Sequence, residues 1–140
     1  MIRPALLFAL AFASAACARP PADDAPAAPA TATFRFTHPT HDEYFVARTA
    51  DPEIIAKARA ELAKPLADRS LHINGVIAKG SGEVNAPWSW HFVEGEWTLA
   101  EMSIELCDGW PGYIEDNLDK WLAEVGFFCP WSSRVEAEID

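Results

Sequence analysis

Basic residues are scarce in this chain of 140 residues: 11 Lys and Arg stand against 21 Asp and Glu, a formal charge of -10 at pH 7. That balance repels phosphate backbones and excludes nucleic acid as a natural partner. Cysteine is scarce too, with three in all, too few for a disulfide-dense scaffold. The most apolar run, Ala5 to Ala13, falls well short of the roughly 20 residues that a membrane-spanning helix needs. Also missing are the ligand spacing of an EF-hand, a tight Cys/His metal pattern and an ordered nucleophile–His–acid set. What remains is a globular chain with room for one domain and a moderate core.

The first residues, MIRPALLFALAFASAAC, have the layout of an export signal. Arg3 gives the positive start, Ala5–Ala13 the apolar stretch, and Ser14-Ala15-Ala16 the small-residue cleavage zone, so residues 1–16 are expected to be removed. Cys17 stands where lipoproteins carry their acylated cysteine, which predicts membrane attachment through a lipid; plain secretion is the alternative, because Ser14 replaces the usual Leu. Ala18 after it, rather than Asp, points to the outer membrane facing the periplasm. Residues 17–33 are rich in Pro and Ala and read as a tether, and residues 34–140 as one domain.

Within that domain, Phe34–Thr37 and Glu43–Thr49 alternate as a strand hairpin. Asp51-Pro52-Glu53 opens a helix whose stripe is Ile54, Ile55, Ala58 and Leu62, with Pro65 as its stop. Leu71–Lys79, Trp88–Val93 and Trp97–Cys107 read as three strands, the last two separated by a turn at Glu94-Gly95. A second helix carries Ile114, Leu118, Trp121, Leu122 and Val125, and Val135–Ile139 closes the domain. The order β-β-α-β-β-β-α-β predicts an α+β fold, a mostly antiparallel sheet covered by two helices. With Cys17 assigned to lipid, Cys107 and Cys129 remain as an even pair in an oxidising compartment, which predicts one disulfide; two buried free thiols or a metal-bound pair are the alternatives.

The segments WSWH, SIELCDG, YIEDNLDKWL and CPWSSRV carry a resemblance. Over roughly Phe34 to Glu138 the chain resembles a family of small secreted bacterial proteins often labelled "calmodulin-binding protein", similar to the N-terminal domain of a slime-mould protein associated with calcium. No cofactor is expected, with calcium or another divalent metal as the alternative; the resemblance keeps calcium on the list and assigns no site residues. Calmodulin itself is not a partner the residues support. Its targets are basic amphipathic helices, whereas Tyr113–Val125 is acidic with Lys120 its only base.

Strand parity gathers a candidate binding face. If the helices cover Ile73, Trp90 and Ile104, the opposite face holds His72, Asn74, Ser89, His91, Glu101, Ser103 and Glu105. Two imidazoles and two carboxylates there suit a divalent metal or acid–base work; an ordinary solvated face is the alternative. His38 and His41 form a second, loop-borne pair. Arg134 is expected to meet Glu105 or Asp108 in an ion pair. Trp97, Trp110 and Trp131 sit at element ends and are expected to be partly exposed, as platforms for a glycan or an envelope protein. Three functions compete: a non-enzymatic binding module, a small metal-dependent or acid–base hydrolase using His72, His91 and Glu105, and an inhibitor acting on an exported protein.

Overall fold

The computed structural model describes residues 30–139, so the expected leader, Cys17 and most of the tether lie outside the described residues. β1 (Ala32–His38) and β2 (Glu43–Thr49) form the expected hairpin, with Ala32 opposite Thr49 and His38 opposite Glu43. β1 starts before Phe34, because the inward alternation of Phe34 and Phe36 extends back to a buried Ala32. Asp51 caps α1 (Pro52–Leu62) by accepting from the amides of Glu53 and Ile54. Then come β3 (His72–Lys79), β4 (Trp90–Ala100), α2 (Pro111–Asp116), α3 (Leu118–Glu124), the two-residue β5 (Phe127–Phe128) and β6 (Arg134–Ile139).

The fold is α+β and antiparallel. Its strands divide into two three-stranded sheets, β2-β1-β6 and β4-β3-β5, where the pattern predicts one. Period-two patterning marks the apolar face of a strand but not which strands share a ladder. Here the two apolar faces meet over a common aromatic core. The Phe45 ring lies 5.9 Å from Trp90 and 6.0 Å from Phe128, and Phe36 lies 6.1 Å from Trp97. Buried Asn85 ties the sheets together, its carbonyl accepting from the Val46 amide and its Nδ2 donating to the Trp90 carbonyl.

Three differences from the sequence reading set up the site. First, Glu94-Gly95 is a bulge inside one long β4 and not a turn between strands. Between the pairs Ile77↔Phe92 and Gly75↔Trp97, β4 advances five residues while β3 advances two. Gly75 makes this crossing feasible, since a Cβ there would lie 2.3 Å from the Trp97 Cβ. Second, the strand expected over Trp97–Cys107 stops at Ala100. Its partner β3 begins at His72, opposite Ala100, so the ladder has nothing left to pair with. Residues 101–104 continue as an irregular segment, and Glu105–Cys107 form one 3-10 turn. Third, the second helix is split at Asn117, whose φ of -122° leaves the helical region. The Asn117 side chain donates to the Tyr113 carbonyl, supplying the bond that a continuous helix would take from the residue 117 amide.

Candidate apolar contact site beside the disulfide

Cys107 and Cys129 are bonded, with Cα atoms 5.2 Å apart, and the Cys129 amide donates to the Cys107 carbonyl. This joins the end of the 101–107 segment to the chain leaving β5. Further back, Ser103 fixes the same segment to β3. Its Oγ lies 2.7 Å from His72 Nε2 and accepts from Asn74 Nδ2 at 3.0 Å. His72 and Asn74 share the face of β3 opposite Ile73 and Ile77, so the segment lies as a strap across the outer face of that sheet. That is why His72, on a face expected to be open, is buried.

A strap pinned by its polar residue must turn its apolar ones outward. Met102 is 85% exposed, Ile104 68% and Leu106 66%. Phe127, Trp110, Tyr113 and Trp131 are further exposed apolar side chains, each lining a hollow together with a residue of the strap. Among the large apolar side chains exposed in the described residues, only Tyr44 and Leu66 lie elsewhere. Two hollows flank the strap. One, of about 580 Å³, has Leu106, Trp110, Tyr113, Trp121 and Val125 among its walls, with Glu105, Asp108, Glu124 and Lys120 around them. The other, of about 600 Å³, is lined by Met102, Ile104, Leu106, Val125 and Phe127. Leu106 and Val125 belong to both and form the ridge between them.

A row of rings leads from β1 into the first hollow. His38 lies 5.0 Å from His41, His41 stacks on Trp110 at 4.3 Å and 5°, and Trp110 lies 5.1 Å from Tyr113. His38 is buried and its Nδ1 has no hydrogen-bond partner among the described residues. Burial, reinforced by the neighbouring His41, holds the His38 imidazole below the usual histidine range, although Glu43 and Asp108 pull the other way. Glu43 also fixes the entry to α2, accepting from the Gly112 amide at 3.1 Å. A Cβ on Gly112 would fall 2.6 Å from that carboxylate, so a larger residue here would push the Glu43 side chain aside and disturb this bond.

The residues of the predicted polar face are scattered. His72, Asn74 and Ser103 come together, and Glu101 joins His72 and Ser103 around a small hollow of about 240 Å³ with Trp131 and Arg134. His91 pairs with Ala78 in the ladder, six residues along β3 from His72, a separation of about 20 Å. There its Nδ1 contacts the Gly80 carbonyl at 2.7 Å. The Ser89 amide donates to Glu115, and Glu105 faces the first hollow. Parity assigns each side chain to a side of its own strand, but β4 bulges and the last segment is not a strand, so a shared face never forms.

Two further expectations change. Trp97 is buried at 4% exposure rather than partly exposed, its indole donating to the Arg48 carbonyl at 2.9 Å. Arg134 makes no ion pair among the described residues; its guanidinium donates to the carbonyls of Arg69, Trp131 and Ser133. The positive charge so placed, second to burial itself, lowers the His72 pKa, with Asp108 opposing. Trp110 and Trp131 are exposed at 37% and 40%. The strap is legible in sequence only as an alternation, EMSIEL, without the signal that no strand remains to pair with it.

The sequence model of one protein family, described as the BP-74 N-terminal domain, matches residues 30–140. The chain belongs to that family. The match spans the whole described domain, including the strap, the disulfide and the ring row. No curated protein matches the chain, and no solved structure does. Among the described residues no helix is long and apolar enough to cross a membrane, and no three His, Cys, Asp or Glu side chains converge as a metal site.

Proposed function

We propose that this member of the family is an exported, non-enzymatic binding module, held to the cell envelope by a lipid on Cys17. Its contact surface is the strap from Glu101 to Trp110 and the two hollows beside it. The observation that carries this is the clustering of exposed apolar side chains on a segment fixed at both ends, by Ser103 and by Cys107. Soluble domains seldom leave such a contiguous patch open unless something covers it. Each of Met102, Ile104 and Leu106 offers roughly 1.5–3 kcal/mol on full burial by a partner, and the strap loses little freedom because it is already ordered.

Site-specific photocrosslinking in the producing cells tests this. A crosslinker at Leu106 or Met102 should give a discrete adduct, whereas one at Leu66, also open but elsewhere, should give none. The same ladder from all three positions, or no adduct from any, overturns the surface. The lipid is tested separately by labelling with radioactive palmitate, which should mark the chain and be lost in Cys17→Ser; an unlabelled wild type removes the anchor.

One contact favours a second function. His72 Nε2 lies 2.7 Å from Ser103 Oγ in a hollow that also holds Arg134, an arrangement suited to proton transfer from a serine. The corresponding activity is acid–base hydrolysis at Ser103, independent of His91 and Glu105. Ester and peptide turnover by the wild type that vanishes in Ser103→Ala, at unchanged stability, would establish it; turnover that survives Ser103→Ala excludes that residue.

A further inference from the structure

Resting on the contact surface proposed above, we infer that its occupant is a cationic amphipathic segment of another polypeptide. The two hollows share the Leu106–Val125 ridge, so together they form one trough with apolar walls on either side. Such a trough suits a chain segment that places apolar side chains both before and after the ridge. The rim of the first hollow decides the charge of that segment. Glu105, Asp108 and Glu124 stand there against Lys120 alone.

These carboxylates are not already matched. Every ion pair among the described residues lies elsewhere: Arg35–Glu136, Arg48 with Glu83 and Glu94, Arg59–Glu138, Lys64–Glu61 and Lys79–Asp119. Among those residues Glu105 and Glu124 have no basic partner, and Asp108 spends one oxygen on the Trp131 amide. Lysine or arginine arriving on an apolar segment meets both these carboxylates and the exposed rings of Trp110 and Tyr113, which attract cations at their faces. The formal charge of -10 steers a cationic partner inward and opposes an anionic one. An anionic bilayer is disfavoured on the same ground.

The test uses the full chain with Cys17→Ser, free of lipid, and two designed helical peptides of equal length, one Leu/Lys and one Leu/Glu. Fluorescence anisotropy should show the Leu/Lys peptide binding at least about tenfold more tightly at low salt, with the advantage shrinking as salt rises. Leu106→Asp should weaken it about tenfold or more. Glu105→Lys/Glu124→Lys should weaken it similarly, whereas Glu53→Lys/Glu96→Lys, an equal change of net charge away from the trough, should stay within about twofold. Equal binding of the two peptides, with Leu106 still required, overturns the cationic occupant and leaves the contact surface standing. Equal losses in the two charge-reversed variants reduce the effect to net charge and also overturn it. Binding that ignores Leu106→Asp sinks the surface as well. Tighter attachment to phosphatidylserine vesicles than to the Leu/Lys peptide makes the occupant a membrane and not a polypeptide.

Discussion

The α1 flank and the disulfide flank rest on the same aromatic core and finish their surfaces in opposite ways. On α1, Ile54, Ile55 and Ala58 face inward, while Arg59 reaches out to an ion pair with Glu138. On the strap the polar Ser103 faces inward and Met102, Ile104 and Leu106 face water. α1 forms from its own cap, its proline and its periodicity. The strap needs two outside attachments to hold a shape that hydrophobic burial alone would not choose. The difference teaches that an ordered segment can keep its apolar side chains in water when polar and covalent attachments, rather than burial, fix its course.

The shared core is the first place to strain the comparison. Trp90→Ala removes a fully buried indole in contact with Phe45, Phe92 and Phe128, and should cost about 3–5 kcal/mol in urea melts. A loss below about 1 kcal/mol would mean that the sheets are not held together here. Next, Cys107→Ser/Cys129→Ser opens a loop with a sequence separation of 22 and should cost about 3 kcal/mol, with the strap amides gaining exchange while α1 keeps its protection. Uniform deprotection of both flanks would remove the distinction between them.

Acid should act on the disulfide flank as well. Burial lowers the pKa values of both His38 and His72 in the folded state, so their neutral forms favour folding above about pH 6.5, and that contribution fades as pH falls through the lowered values. Urea midpoints should therefore fall between about pH 7 and pH 5, and less so in His38→Gln and His72→Gln. Midpoints that track the wild type in both variants would assign the decline to other groups. Smallest of all, Met102→Ser/Ile104→Ser should change stability by no more than about 0.5 kcal/mol while improving solubility at high concentration. A large loss would show these side chains supporting the fold instead of meeting a partner.

The sequence exposes these parts unevenly, for physical reasons. α1, the β1–β2 hairpin and the Cys107–Cys129 pair are legible because their signals are local or arithmetical: a cap with a proline, two alternations around a turn, an even number of thiols. The division into two sheets is not, since it depends on Asn85 and a core of rings drawn from both hairpins. Gly75 reads only as one more inward position on its strand; its need arises from the Trp97 backbone passing over it. Of the candidate site, Trp110 and Trp131 lie at the surface as their places at element ends suggest, yet Trp97 is buried by its bond to Arg48 across the sheets. EMSIEL alternates as a strand should, and only the exhaustion of β3 at His72 shows why it cannot be one.

The direction of β1 has a consequence for how the domain meets its surroundings. The chain enters the fold at Ala32, and β1 then runs to His38, from which His41 leads by stacking to Trp110 in the wall of the trough. The entry point and that wall are thus about 20 Å apart, at opposite ends of one central strand. Whatever holds the protein by its N-terminal side pulls on the far end of the molecule. A tether acting at that end would leave the trough at the far end of β1, free to be approached, much as a hand is presented at the end of a forearm.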